Sequence, residues 1–465
     1  MRIAIFHLGF FYSGGGEKLV LEEMRGLRAL GHQVTCFAPY VDREGCFPDV
    51  PEMADIRTLL PPPPAWLPVK ESLWVALSCL LIPFLAPRFR SFDVFLGANQ
   101  PGPWLAFVLA KLLKKPYVAY LAQPLRLLHP RAIDEQNGLR IREGDHKFLM
   151  ILRKLAGPII DWADRISVCG AAAVLTNGSY VGSWIRRVYG VDVIDCPAGC
   201  HVDDPEILDY GKRWSGHIRV NGWQIPKPYV LLTNRHSPMK RFEYALWAMK
   251  SIIRVSPSAT LVITGQKTSY TRLLEYLADS LGIGNSVRFV GLISESSLRR
   301  LYGQAAVYVY PSPEEDFGMG IVEAMAAGTP TVAWDCCGPT VTVDSGVTGY
   351  LVEPYDTEAF ARRMLGLLTN RDIAERLGRS GNERASQLFS YARHIAVLGD
   401  VLHATIPAAE THDDLNQFPI SPAIVGVESS PVGADYRPAA HARSIGALSK
   451  DLWEELAVEN SETER

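Results

Sequence analysis

The sequence predicts an α/β fold with two doubly wound parallel sheets in series. In the first half, short apolar runs rich in β-branched residues alternate with longer amphipathic runs, and the alternation begins again at Lys227. This pattern is typical of parallel strands joined by helices. Between the two halves, residues 203–228 are polar, weakly periodic and rich in Gly, Trp and Pro. Such a stretch indicates a domain boundary.

Each half supplies its own set of elements. The strands predicted in the first half are RIAIF, QVTCFAP, FDVFLGA, KPYVAYLA and AAVLTN, with helices over 17–30 and 179–189. Those predicted in the second half are PYVLLTN, ATLVITG, SVRFVG, AVYVYPS and TPTVAW, with helices over 242–255, 270–281 and 295–302. We expect an N-terminal domain over residues 1–205 and a C-terminal domain over 206–390. A terminal helix is expected over 391–404, followed by a largely disordered tail over 405–465. The Pro, Ala, Ser and Asp content of the tail favours no packed core, although SKDLWEELAVE is compatible with a short helix.

Size and composition are those of an ordinary globular protein. A chain of 465 residues exceeds what one hydrophobic core usually supports, so two domains are expected. A net charge of -3 gives no electrostatic reason to expect nucleic acid as a partner. The 8 cysteines are scattered through apolar runs, which favours reduced thiols in the cytoplasm. The N-terminus, MRIAIFHLGFF, has too short an apolar run for a secretory signal and is interpreted as a buried first strand.

One apolar segment has two interpretations. The run LWVALSCLLIPFLAP, Leu73 to Pro87, is too short to span a bilayer comfortably and contains Pro83. Because PRFR follows it, the segment suits either a buried core helix or an interfacial helix. The second interpretation predicts peripheral association at the cytoplasmic face of a membrane.

The first candidate site is the loop after RIAIF. Open parallel sheets bind ligands outside the carboxyl ends of their strands. Here Gly14, Gly15 and Gly16 stand just before a helix, where backbone N–H groups can approach an anionic group closely. The loop matches neither common nucleotide-binding glycine motif, so a flexible connection is the competing interpretation.

The second candidate site follows PYVLLT. The loop NRHSPMKRF carries Arg235, Lys240 and Arg241 at the end of a strand. A guanidinium fork and a nearby ammonium are able to clamp a diphosphate. Cations on a surface loop are the alternative interpretation.

The third candidate site is PSPEEDFGMGIVEAMAAGTP, which crowds acids around the start of a helix. The helix is predicted to begin at Gly318 and to end at Gly328. Helical periodicity buries Ile321, Val322 and Met325 and turns Glu323 away from them. Glu323 would then accept hydrogen bonds from the ribose of a nucleotide, and Glu315 would contact the next group along. The competing interpretation is that the acids cap the helix or respond to its dipole.

No metal site is expected. The sequence has no Asp-x-Asp pair of the kind that holds a catalytic cation. The run CPAGCH, Cys196 to His201, has no second ligand pair near it in sequence.

With these residues in view, the chain resembles the fourth family of retaining, nucleotide-sugar-dependent glycosyltransferases. The resemblance covers residues 1–404 and rests on four motifs and a following element: SGGGEKLVLE, VLTNGSYVGSWIRRVYG, NRHSPMKR, PSPEEDFGMGIVEAMAAGTPTVA and then GVTGYLVEP. It implies a GT-B fold, in which two Rossmann-like domains face each other across a central cleft. Within the family, the chain looks most similar to mannosyltransferases that act on lipid-linked oligosaccharides. This similarity implies GDP-mannose as donor and a glycan or polyprenyl-linked acceptor.

The resemblance also implies a role for each candidate residue. Arg235 and Lys240 would bind the donor diphosphate, Glu323 its ribose, and Glu315 the transferred sugar. Glu315, Arg235 and Lys240 would thus be the catalytic set, without a metal or other cofactor. The remaining donor contacts would come from Phe317, Gly318, Met319, Gly14, Gly15 and Gly16.

Two positions depart from the family pattern. Family members commonly carry a histidine where this chain has Ala122, and the nearby His129 is the candidate substitute. The usual Gly-Gly-x-x-Glu loop reads DCCGPTV, with Cys337 for the first glycine and Val341 for the acid. These departures keep two alternatives open: a non-catalytic nucleotide-sugar-binding protein, and an epimerase or phosphorylase on the same scaffold.

Overall fold

A computed structural model describes most of the chain. The described residues are 1–11, 14–42, 46, 50, 53, 55–64, 67, 70–136, 146–202 and 208–406. The expected disordered tail and the short helix SKDLWEELAVE lie outside these residues, apart from the first two residues of the tail.

The first sheet has seven parallel strands in the order β3-β2-β1-β4-β5-β6-β7. They are β1 Arg2–His7, β2 Gln33–Ala38, β3 Ile56–Thr58, β4 Val94–Ala98, β5 Tyr117–Leu121, β6 Ala173–Thr176 and β7 Ile194–Asp195. All residues of β4 and β5 are buried. Central strands covered on both faces explain why these segments are continuously apolar in sequence.

The second sheet has six parallel strands in the order β12-β11-β10-β13-β14-β15. An antiparallel hairpin of His217–Val220 and Trp223–Pro226 precedes this sheet. It lies within residues 203–228, the stretch whose sequence indicates a domain boundary. The strands are β8 His217–Val220, β9 Trp223–Pro226, β10 Tyr229–Thr233, β11 Thr260–Thr264, β12 Val287–Gly291, β13 Val307–Tyr310, β14 Thr331–Trp334 and β15 Gly349–Val352.

Helices connect the strands. Those of the first half are α1 Gly15–Ala29, α2 Lys70–Leu85, α3 Gly102–Leu113, α4 Ala132–Gln136, α5 His146–Cys169 and α6 Ser179–Tyr189. Those that follow are α7 Glu243–Val255, α8 Ser269–Ser280, α9 Glu295–Gln304, α10 Met319–Ala326, α11 Pro339–Thr342, α12 Thr357–Thr369, α13 Arg371–Leu388 and α14 Tyr391–Ala404. None of the helices in the described ranges combines the length and the apolar content that a bilayer crossing requires.

The connections place the helices of the first sheet on two faces. From β1 the chain moves to β2, toward one edge of the sheet, and from β3 through β7 it moves toward the opposite edge. Because parallel crossovers are right-handed, α1 covers one face and α2, α3, α5 and α6 cover the opposite face. In agreement, α2 packs on α3, α3 on α5, and α5 on α6.

The last helix returns to the first sheet. Helix α14 packs against α1 and β5. At the centre of this contact, His394 Nε2 lies 3.3 Å from Glu23 Oε1, and both side chains are fully buried. Burial alone would lower the pKa of His394, but its contacts with Cys196 and Glu23 raise it to about 10. A buried charged pair therefore ties the end of the described chain to its first helix.

Candidate active site

The three predicted loops all lie where a topological switch point would place a ligand site. Strand order reverses between β1 and β4 in the first sheet and between β10 and β13 in the second. The glycine loop follows β1, the cationic loop follows β10 and the acidic loop follows β13. Ligands of open α/β sheets bind at such points, outside the carboxyl ends of the strands.

Glu315 sits in a hydrogen-bonded cluster at the end of β13. Lys240, at the end of the short 3₁₀ helix Pro238–Lys240, donates from Nζ to Glu315 Oε2 at 2.6 Å. The hydroxyls of Tyr310 and Ser312 donate to the same oxygen at 2.8 and 3.3 Å. The hydrogen bonds that the described residues give this carboxylate thus converge on Oε2, which leaves Oε1 to accept from a ligand.

The surroundings of Glu315 keep its carboxylate ionised. Burial favours the neutral acid, but the charge and hydrogen bond of Lys240 outweigh burial and lower the pKa of Glu315 to about 2. Tyr310 shows the converse effect, because burial and the neighbouring Glu315 charge both raise the pKa of its hydroxyl. At neutral pH the cluster therefore combines a carboxylate, a protonated phenol and the Lys240 amine.

Glu323 is held by two donors from opposite sides. Lys18 of α1 donates from Nζ to Glu323 Oε1 at 2.7 Å, and the Tyr302 hydroxyl donates to Oε2 at 2.9 Å. Tyr302 is itself linked to Thr233, at the end of β10, at 2.8 Å. Two of the four lone-pair positions of the carboxylate are thus used, and two remain for a ligand. As the helical periodicity predicts, Ile321, Val322 and Met325 are buried while Glu323 is not.

The two halves approach each other closely around the start of α10. A Cβ added at Gly15 would lie 3.9 Å from Met319 Cγ, and one added at Gly178 would lie 3.6 Å from the Phe317 ring. The Phe317 side chain is buried and packs on Phe389 at 5.7 Å between ring centroids. The start of α10 therefore approaches the glycine loop through the Met319 side chain, while the Phe317 ring serves as packing.

Arginines of the loop after β5 meet the other acids of the acidic loop. Arg126 pairs with Asp316, and Arg131 Nη1 lies 3.5 Å from Asp316 and donates to the Glu314 carbonyl oxygen at 2.8 Å. The Glu314 carboxylate accepts from the backbone N–H of Ile133 at 3.1 Å. Glu314 and Asp316 thus bind the first half, while Glu315, between them, turns into the cluster with Lys240.

A cavity lies between the halves beside Glu323. It is lined by residues of both halves, which include Lys18, Tyr302, Met319 and Glu323.

The remaining predicted residues are placed as follows. Arg235 follows β10, is half-buried, and its backbone N–H is held by Asn234 Oδ1 at 3.1 Å. Ala122 donates its backbone N–H to Asn99 Oδ1 at 3.2 Å. His129 lies 3.9 Å from Asp161 of α5 and packs on Tyr189, all within the first half. Val341 approaches Gly178 across the cleft, where an added Cβ would lie 4.0 Å from it.

Sequence reasoning missed Lys18, Tyr302 and Tyr310. Lys18 follows the glycine loop directly, one turn into α1, and this position was a usable signal. Tyr310 was visible as well, because alternation along VYVY gives it the same side of β13 as Tyr308. Tyr302 lies in the last turn of α9, and nothing in its local pattern marks it.

Two parallel Rossmann-like sheets whose switch points face one cleft define the GT-B class of two-domain proteins. Comparison with known families gives the particular family. Residues 13–196 match the model of Glycosyltransferase Family 4, and residues 217–384 match that of Glycosyl transferases group 1. The chain belongs to this glycosyltransferase family.

Curated relatives and solved structures are similar to this chain. D-inositol 3-phosphate glycosyltransferase of Thermobifida fusca (strain YX) is 34% identical over 35% of this chain and 40% of its own length. Phosphatidyl-myo-inositol mannosyltransferase of Mycobacterium leprae (strain TN) is 28% identical over 50% of this chain and 58% of its own. The matches to these two relatives thus span between two fifths and three fifths of their length. Anabaena HepE, solved in complex with UDP and glucose, shares the fold with a TM-score of 0.64 at 18% identity, over 87% of this chain and 100% of that one.

Proposed function

We propose that this chain is a retaining glycosyltransferase that moves a sugar from a nucleotide sugar to a glycan or lipid-linked acceptor. The observation that carries the proposal is the cluster of Lys240, Tyr310 and Glu315 at the end of β13, together with Glu323 of the following helix, which Lys18 reaches from the other half. Family membership supports the same reaction class. We propose mannose from GDP-mannose as the donor, and among the relatives a mannosyltransferase supports this choice.

Each part of the donor has a matching group. Arg235 and Lys240 would bind the diphosphate, where a planar fork and a point charge complement each other. The two open lone-pair positions of Glu323 would accept from the vicinal hydroxyls of the ribose. Glu315 Oε1, to which none of the described residues donates, would accept from a hydroxyl of the transferred sugar. The backbone of residues 317–319 and Gly14, Gly15 and Gly16 would enclose the donor from both sides.

The proposed mechanism is substitution on one face of the sugar. The bond between the anomeric carbon and the diphosphate oxygen breaks, and the cations stabilise the charge that develops on that oxygen. The acceptor hydroxyl enters from the same face, and an oxygen of the leaving phosphate takes its proton. Preorganised charges of this kind supply several kcal/mol in a cleft poor in water. In this proposal the reaction needs no metal ion or other cofactor.

Substitution of Lys240 tests the assignment. We expect Lys240→Ala to reduce transfer at least a hundredfold, because it removes one cation from the leaving group and also the ammonium that pairs with Glu315. Lys250→Ala, which changes an exposed lysine on α7, is the matched control and is expected to keep full activity. Turnover of Lys240→Ala within about twofold of wild type, a change of only ~0.4 kcal/mol, would contradict the role of Lys240.

A donor screen separates this function from the alternatives. Calorimetry with a panel of nucleotide sugars identifies the donor, and hydrolysis or transfer is then measured with that donor. Affinity without any turnover would favour a non-catalytic binding protein. Conversion of the nucleotide sugar without an acceptor would indicate an epimerase, and a requirement for orthophosphate would indicate a phosphorylase.

A further inference from the structure

Large apolar side chains are exposed together on one face of the first sheet. Among the described residues, 14 large apolar side chains are exposed, and eight of them lie on α2, α3 and α5. These eight, here called the outer apolar face, are Leu73, Leu80, Phe84, Leu112, Ile151, Leu155, Ile159 and Trp162. Since the three helices are neighbours in one layer and their buried residues face the sheet, the exposed residues share the outer surface of that layer.

Helix α5 contributes a regular stripe to this face. Ile151, Leu155, Ile159 and Trp162 follow one another at intervals of four, four and three residues, which aligns them along one side of a helix. The opposite side is already packed: Asp164 is fully buried and accepts a hydrogen bond from Trp104 Nε1 of α3 at 3.0 Å. The stripe is therefore not needed to hold α5 in place.

The exposed area is large for a surface that faces only water. Phe84 is 81% exposed and Trp162 is 62% exposed. An aromatic side chain carries about 150–250 Å², so these two alone expose on the order of 300 Å². With the six aliphatic side chains added, the face exceeds what soluble monomers usually leave uncovered, and such patches mark interaction sites.

Exposed cations surround the outer apolar face. They are Arg88, Arg90, Lys111, Lys114, Lys154 and Arg165. The first four form one edge, because Lys115 Nζ joins the end of α3 to the carbonyl oxygen of Arg90 at 2.6 Å. Asp161 offsets Arg165, with which it is paired at 2.9 Å. The five other cations outnumber the exposed Asp93, whose carboxylate accepts the neutral backbone N–H of Arg2 at 2.6 Å. The margin of the face is therefore positive.

We propose that the outer apolar face docks onto a membrane surface that contains anionic lipids. An apolar stripe with a basic margin lies in the interface of such a bilayer, where buried apolar area and attraction to the lipid headgroups act together. Trp162 suits the headgroup level, and lysine and arginine stems extend their charges to the phosphates. The inference is independent of the proposed activity, since it concerns the helical surface and not the strand ends that carry the site.

Vesicle flotation with the full chain tests the proposal. We expect the protein to float with vesicles that contain phosphatidylglycerol and far less with vesicles of phosphatidylcholine alone. The variant Leu155→Glu/Trp162→Glu is expected to reduce binding at least tenfold, and Lys111→Glu/Lys154→Glu to abolish the preference for anionic lipid.

The matched control changes exposed apolar residues elsewhere. Val255 at the end of α7 and Leu292 after β12 are 67% and 62% exposed, so Val255→Glu/Leu292→Glu alters a comparable area and is expected to float as wild type does. The positions changed in the two apolar variants, Leu155, Trp162, Val255 and Leu292, are all exposed. The melting temperatures of both variants are therefore expected to stay within a few degrees of wild type, which separates loss of docking from loss of folding.

Three outcomes would overturn the proposal. The first is no flotation of the wild type with anionic vesicles. The second is equal flotation of Leu155→Glu/Trp162→Glu. The third is a dimer in sedimentation that this variant breaks while vesicle binding is absent, which would assign the face to a second copy of the chain.

Discussion

Lys18 provides the sharpest test of the donor site, because it reaches Glu323 from the other half of the molecule. Its ammonium lies 2.7 Å from Glu323 Oε1 and 3.1 Å from Glu295 Oε1. Burial would lower the pKa of Lys18, but the two carboxylates outweigh burial and raise it, so the amine is charged at neutral pH. If Glu323 grips the ribose, Lys18 fixes the orientation in which that carboxylate keeps two lone-pair positions open. It is a positioning residue in this proposal.

The expected magnitude follows from the geometry. Hydrogen bonds to charged groups contribute about 1.5–3 kcal/mol. The Lys18 side chain is 26% exposed, so the lower end applies. A loss of about 1.5 kcal/mol corresponds to roughly a tenfold change in affinity. We expect Lys18→Met to raise the donor KM about tenfold and to change kcat by less than threefold, since the aliphatic stem is retained.

Two companion variants separate orientation from general packing. Lys18→Arg keeps the charge and is expected to return the KM to within about threefold of wild type. Glu295→Gln alters the other partner of Lys18, which is half exposed, and pairs of this kind contribute little. Initial rates over a range of donor concentrations, with calorimetric affinities beside them, give the result. If the wild type turns over its donor and Lys18→Met leaves the KM unchanged, the positioning role is refuted while the proposed reaction stands.

Three further predictions concern the ion pairs. The folded-state pKa of Glu315 is lowered to about 2. The ionised carboxylate therefore adds no more than about 3 kcal/mol to the free energy of unfolding above pH 4.5, and this contribution is lost as the pH falls through 2. Melting curves of wild type and Glu315→Gln should therefore converge toward low pH. The folded-state pKa of His394 is raised to about 10, so its contribution to the free energy of unfolding is complete below pH 6.5 and is lost as the pH rises through 10. His394→Leu should cost about 3–5 kcal/mol of unfolding free energy at pH 6 and less at pH 10, because it leaves Glu23 buried without its partner. An equal cost at both pH values would contradict a charged pair. A double-mutant cycle with Arg126→Ala and Asp316→Ala should give a coupling of about 1–3 kcal/mol in denaturant unfolding, and strictly additive effects would show that the contact does not stabilise the fold.

Local sequence patterns predicted most of the architecture because both signals involved are local. Buried parallel strands are continuous apolar runs, and the helices between them carry a 3.6-residue period, so each element can be recognised within its own window. The hairpin β8–β9 was missed because its strands have only four residues each and lie in a weakly periodic stretch, although Asn221 and Gly222 between them are a usual signal for a two-residue hairpin turn. Lys240 and Glu315 were identified by position, as each follows a strand of one sheet. Their partnership became visible only from the adjacency of β10 and β13.

Contacts between the halves could not be predicted in the same way. Lys18 and Glu323 are 305 residues apart, and Arg126 and Asp316 are 190 apart. No periodicity links positions so far apart in sequence. Surface lysines and arginines are also so common that their positions alone do not identify an ion-pair partner. At Ala122 the sequence shows that the usual histidine is absent. Only the fold shows that Arg126 and Arg131 of the same loop form ion pairs with Asp316 of the acidic loop.

The four acids around the start of α10 divide into two pairs with different tasks. Glu314 and Asp316 bind residues of the first half, so they hold the acidic loop against the opposite wall of the cleft. Glu315 and Glu323 face inward, and each is held by donors from strand ends or helices. A residue between two tethered neighbours has little freedom to turn, and preorganised groups lose less free energy when a ligand binds. The crowding of carboxylates that the sequence displays thus fixes Glu315 between two acids that bind the first half, while Glu323 lines the cavity between the halves.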